Sequence, residues 1–126
     1  MTIEWRYTIQ PDLGVLSLAG FLGTDAVGRF AGAVGWAVAR GTGPVILDLT
    51  SLRGWSDGGR AAVAEAAVRL AAEGRSLELA AAPEGGCPPI PVHPDLPAAL
   101  AAHRGGSGAE QREWRTGDWP TPEQPV

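Results

Sequence analysis

Pro44-Val45-Ile46-Leu47-Asp48-Leu49 is a short apolar run with Gly41 and Gly43 before it and Thr50 after it. Unbroken apolar character over so few residues predicts a central strand covered on both faces. Upstream, Thr24 or Asp25 can cap a helix that runs to about Arg40. Its Val27, Phe30, Ala31, Val34 and Val38 follow the spacing of one buried stripe. Downstream, a loop from Thr50 to Trp55 leads to a second helix, about Asp57 to Glu73, with Val63, Ala66, Ala67 and Leu70 inward. Glu65 and Arg69 stand on its outer face at the favourable i, i+4 spacing. A buried strand between two helices implies parallel pairing with its neighbours.

Residues 3–9 alternate, with Ile3, Trp5, Tyr7 and Ile9 on one face and Glu4, Arg6 and Thr8 on the other. That period predicts a half-buried strand. Pro11, Asp12 and Gly14 supply a turn into a second strand, Val15 to Ala19. Beyond the second helix Gly74 is the stop, and Leu77 to Ala82 reads as a further strand. Residues 83–94 are too rich in proline for regular structure. Asp95 then caps a short helix to His103. The predicted fold class is α/β: a mixed sheet of about four strands with its helices mainly on one face. Residues 1–104 make the domain, and 105–126 a tail containing Gly, Pro, Trp114 and Trp119.

A chain of 126 residues has one-domain length, against roughly 100–200 residues per domain. Its net charge is -4, and all its basic residues are arginines scattered among acids; nucleic-acid binding needs a basic stripe instead. No run approaches the ~20 apolar residues of a membrane span, and the first residues lack signal-peptide order. The expectation is a cytoplasmic protein. Cys87 is the single cysteine, so no disulfide forms within the chain.

Four stretches resemble the STAS family, which includes bacterial anti-sigma factor antagonists. They are Gly14 to Gly20, Val45 to Thr50, Ala71 to Leu79 with its Gly74-Arg75 turn, and Asp95 to Arg104. The resemblance implies a STAS-like domain that regulates transcription by binding a partner, not an enzyme, with no cofactor. The partner it implies is an anti-sigma factor or kinase-like regulatory protein. A scaffold or transporter-accessory subunit is the alternative within the family, and a homodimer is compatible with both. Family members carry Asp-Ser-Ser/Thr-Gly at the start of the second long helix, the first Ser being the phosphoacceptor. Counted forward from Asp48, that motif falls on Ser56-Asp57-Gly58-Gly59, where only the final Gly matches. Asp57 then stands at the phosphoacceptor position. A loop one residue different puts the acceptor on Ser56 or Gly58, so the register stays open by one.

The expected partner-binding residues are Trp55, Ser56, Asp57, Gly58, Gly59 and Arg60, together with Trp36. Trp36 is nine residues from Val27, about half a turn from the predicted stripe, beside Arg29 and Arg40. Aromatic and Arg side chains are favoured at binding hot spots; cover by the C-terminal tail is the other reading. Trp55 serves either as loop anchor or as partner surface. Asp57 serves as a helix cap, a recognition element, or both. A third class, a small enzyme or ligand-binding protein, would use a cleft near Cys87 and His93. Against it, neither His93 nor His103 has a nucleophile beside it in sequence. Two histidines without an acid cluster also make a poor metal site.

Overall fold

The computed structural model describes residues 2–10 and 12–103, and the backbone of 112–115. Strand β1 (Ile3–Gln10) and strand β2 (Leu13–Leu22) form the opening hairpin, with Gln10 paired to Leu13 and Ile3 to Gly20. A single 3-10 turn (Thr24–Ala26) leads into helix α1 (Val27–Ala39), which crosses to strand β3 (Val45–Trp55). Helix α2 (Asp57–Ala71) then crosses to strand β4 (Leu77–Ala80). A two-residue strand β5 (Val92–His93), helix α3 (Leu96–Ala102) and strand β6 (Arg112–Arg115) follow.

Among the described residues the sheet has six strands in the order β5-β4-β3-β2-β1-β6. β3 lies parallel to β2 and β4, and β5 parallel to β4, while β1 is antiparallel to β2 and β6. The mixed sheet is as expected, and the extra members are the two short edge strands. Val92–His93 falls inside the proline-rich stretch expected to be irregular, and joins because the Leu79 and Ala81 amides donate to the Pro91 and His93 carbonyls. Arg112–Arg115 falls in the stretch read as tail and pairs with β1 from Arg6 to Ile9. Trp119 and the remainder of 105–126 lie outside the described residues.

The larger core fills the face beneath α1 and α2. There Ile3, Trp5, Tyr7, Leu16, Leu18, Leu47, Leu49 and Leu79 meet Phe30, Val34, Val63 and Leu70. On the opposite face Leu13, Val15, Ile46 and Ala80 pack under Ala99 of α3. Val45, Ile46 and Leu47 thus serve both layers in turn and are 0–1% exposed, which is why their run shows no alternation.

β3 continues well past the predicted stop at Leu49. Residues Ser51 to Trp55 pair with Ala19 to Leu22 through two register shifts. Asp48 helps the strand past the first shift. Its Oδ1 accepts from the Thr50 amide and hydroxyl at 3.1 and 2.6 Å, and its Oδ2 from Ser17 Oγ at 3.3 Å. The segment 50–55 is therefore strand, not loop, and it carries the chain straight to the start of α2.

α1 is turned relative to its predicted stripe. Ala26, Phe30, Ala33, Val34, Trp36 and Ala37 are buried, while Ala31 is exposed and Val27 and Val38 are half-buried. Arg29 is the single charge in the helix, so no polar face fixes its phase from sequence. Small Ala33 and Ala37 let the backbone approach the sheet, and Trp36 folds down over β1. Its ring lies 6.1 Å from that of Trp5, with the Arg40 guanidinium 3.6 Å above it. The outer-face placement of Trp36 is thereby corrected: it is 4% exposed.

Arg75 anchors the turn after α2. It is a buried cation whose Nε donates to Gly43 O at 2.7 Å, and whose Nη1 donates to both Ala37 O at 2.8 Å and Arg40 O at 3.3 Å. Its remaining nitrogen lies 3.4 Å from the Tyr7 hydroxyl, which itself donates to Arg40 O. Ala37 O and Arg40 O lie at the end of α1, where the helix dipole favours positive charge. The cation therefore ties β1, α1 and the β4 approach together through backbone carbonyls and the Tyr7 hydroxyl.

Candidate functional site

The start of α2 is built by four contacts. Ser56 is extended, and its Oγ accepts from the Gly59 amide at 3.0 Å, so Ser56 is the N-cap. Asp57 is the first helical residue, with an exposed side chain. The expectation of Asp57 as the cap is corrected, because the chain takes extended geometry one residue earlier and the hydroxyl reaches the free amide. An acid in the first turn still meets the positive end of the helix dipole, worth about 0.3–1 kcal/mol at a surface.

The Ser56 amide donates to Leu22 O at 3.0 Å, joining the helix start to the end of β2. Gly59 makes the approach close: a Cβ there would lie 2.0 Å from Leu22 O. A Cβ on Gly58 would lie 2.9 Å from Thr24 Oγ1, which places the 3-10 turn beside Asp57. Trp55, half-buried, closes β3 opposite Leu22 and packs against the larger core, so it anchors this edge. Arg60 turns toward the proline-rich loop, where its guanidinium reaches Gly86 O at 3.5 Å and its carbonyl faces Cys87 Sγ at 3.7 Å. Sequence reasoning missed these loop contacts, since Gly86 is 26 residues from Arg60.

The residues 55–60 thus form one edge at the start of α2, with Asp57 presented to solvent, and Trp36 lies elsewhere in the core.

Cys87 and His93 do not form a shared constellation. Burial pushes the Cys87 thiol up, against the opposing effect of Arg60, which makes it a poor thiolate nucleophile. His93 instead meets Glu78, as does His103: their Nε2 atoms lie 2.8 Å from the same carboxylate. Among the described residues no group of His, Cys, Asp and Glu is arranged to hold a metal ion. Likewise, no helix among them is long and apolar enough to cross a membrane.

These features define a mixed-sheet α/β domain with a capped α2 start that bears an exposed carboxylate. A profile described as "Mlab, STAS domain" matches residues 5–93, so the chain belongs to the STAS family. The unphosphorylated anti-sigma factor antagonist SpoIIAA shares the fold, with a TM-score of 0.59 at 17% identity, over 78% of this chain and 94% of that one. The Mglu crystal structure matches with a TM-score of 0.53 at 26% identity, over 64% of this chain; the match spans 20% of Mglu. No curated protein matches the sequence.

Proposed function

We propose that this domain is a protein-binding regulator that docks a partner on the edge formed by Trp55 to Arg60, in the manner of an anti-sigma factor antagonist. The observation that carries this reading is the exposed Asp57 carboxylate in the first turn of α2, on a start fixed by the Ser56 cap and the Gly59–Leu22 contact. Counted forward from Asp48, the STAS pattern has its phosphoacceptor at that position, and one residue of loop difference would move it to Ser56 or Gly58. Phosphorylation of a serine there adds about -1.5 to -2 charge at a helix N-terminus. Asp57 carries a permanent, smaller charge on a shorter side chain. The protein is therefore locked out of the usual switch, and its partner offers a basic group that accepts the acid.

The test is calorimetric binding of wild type, Asp57→Ser and Asp57→Ala to an anti-sigma factor with a kinase-like ATP-binding fold from the same genome, beside their melting temperatures. Affinity changes that exceed the stability changes support the reading. Equal binding by all three, or none by any, defeats it. A second reading, a scaffold or transporter-accessory subunit, is favoured by the missing hydroxyl at position 57, since such a subunit needs no phosphorylation switch. Co-purification with a membrane transporter complex, unaffected by Asp57→Ser, would decide for it.

A further inference from the structure

Helix α3 is attached by little apolar surface. It has seven residues and fully buries Ala99 alone, with Leu96 and Leu100 partly covered over Leu13, Val15, Ile46 and Ala80. A helix so short does not hold itself in water. β5 is shorter still. Yet both elements converge on one side chain. Glu78 of β4 points to the α3 face, as its pairing with Ile46 requires. Its Oε1 lies 2.8 Å from His93 Nε2, and both its oxygens lie 2.8 Å from His103 Nε2 at the end of α3. The three side chains are 13%, 21% and 27% exposed, so the bonds are partly shielded and still open to protons. A carboxylate offers only acceptors, so each Nε2 carries the hydrogen it donates.

We infer that Glu78, His93 and His103 form an acid-sensitive clasp that locks β5 and α3 onto the sheet and opens locally when Glu78 takes a proton. Among the described residues the same face of the sheet also carries Asp48 of β3, held by Ser17 and Thr50, and Glu4 and Arg6 of β1, while Asp95 caps the first turn of α3 through the Ala98 amide. Asp48 and Asp95 are bonded there and not to His93 or His103. Once Glu78 takes a proton, one of its oxygens becomes a hydroxyl donor, and the carboxylate that accepted from both Nε2 atoms is gone.

The direction follows from the carboxyl itself. Burial pushes Glu78 up, but the hydrogen bonds and charges of His103 and His93 together outweigh it and hold the group below its ordinary value. A depressed carboxyl stabilises the folded form fully above the unfolded value, and that contribution is lost as pH falls through the folded one. The clasp therefore holds at neutral pH and fails in acid.

Amide hydrogen exchange by NMR tests this on the full chain, with Glu78 followed by its side-chain carboxyl shift and rates corrected for intrinsic exchange. In wild type, protection at Ala99 and His103, and at Ala81 bonded to His93, should fall as Glu78 titrates below the ordinary carboxylate range. Leu47 and Leu49 in β3 should stay protected. At neutral pH, Glu78→Gln should already exchange faster at Ala99 and Ala81, on the order of tenfold to a hundredfold, without a further acid step. His103→Gln should loosen α3 and spare Ala81. Joint loss of α3 and β3 protection at a single pH, or unchanged α3 protection in Glu78→Gln, overturns the clasp. If the glutamine variant does not fold, the wild-type titration decides alone.

Discussion

Adding one methyl group at Gly59 should damage both the fold and the proposed docking edge. The new Cβ would lie 2.0 Å from Leu22 O and 3.0 Å from the Leu22 carbonyl carbon and Cγ. Two of these atoms are backbone of β2, so the helix start must move away from the strand end. Overpacking of this kind costs about 1–3 kcal/mol. The same shift weakens the bond from the Ser56 amide to Leu22 O, at 3.0 Å, worth about 1 kcal/mol. Against this, alanine gains about 1 kcal/mol over glycine inside a helix. The net expectation for Gly59→Ala is a loss of about 2 kcal/mol, or roughly 8 °C in melting temperature for a domain near 100 residues.

Two other glycines provide the comparison. A Cβ on Gly58 meets the Thr24 hydroxyl at 2.9 Å, a side-chain end that can rotate away, and Gly32 has nothing within 4 Å. Gly58→Ala should be near neutral, and Gly32→Ala should stabilise by about 0.5–1 kcal/mol. Urea unfolding with a common m-value ranks the three. If Gly59→Ala is as stable as Gly32→Ala, the close contact between α2 and β2 is not what fixes Asp57 in space.

Arg75→Lys should cost about 2–4 kcal/mol in urea unfolding, because an ammonium cannot reach the Gly43, Ala37 and Arg40 carbonyls in one planar fork; a loss under 1 kcal/mol would refute that role. Tyr7 has its phenol pushed up by burial, with Arg75 and Arg40 opposing. Its contribution is complete below the unfolded value and lost as pH rises through the folded one. Tyr7→Phe should therefore lose about 1 kcal/mol at neutral pH and show a flatter alkaline stability curve; an unchanged alkaline slope would count against it.

The sequence by itself determined the elements whose periodicity reflects burial directly. β1 alternates because one face meets the core and the other does not, and Ile3, Trp5 and Tyr7 are buried as read. The unbroken run 45–49 is buried on both faces, and α2 keeps Val63, Ala66 and Leu70 inward because Arg60, Glu65 and Arg69 mark its outer side. The start of α2 near Asp57 was legible too, from turn residues and the spacing after Asp48. Its internal roles were not: Ser56, not Asp57, caps the helix. That choice depends on where Leu22 O holds the chain. Tertiary structure also decided the phase of α1, whose nearly uncharged sequence lets Trp36 turn inward onto Trp5. It extended β3 to Trp55 because β2 continues beside it. And it assembled Glu78 with His93 and His103, 15 and 25 residues away. Local patterns record which side of an element avoids water; which distant groups face each other is set when the sheet order and helix crossings close.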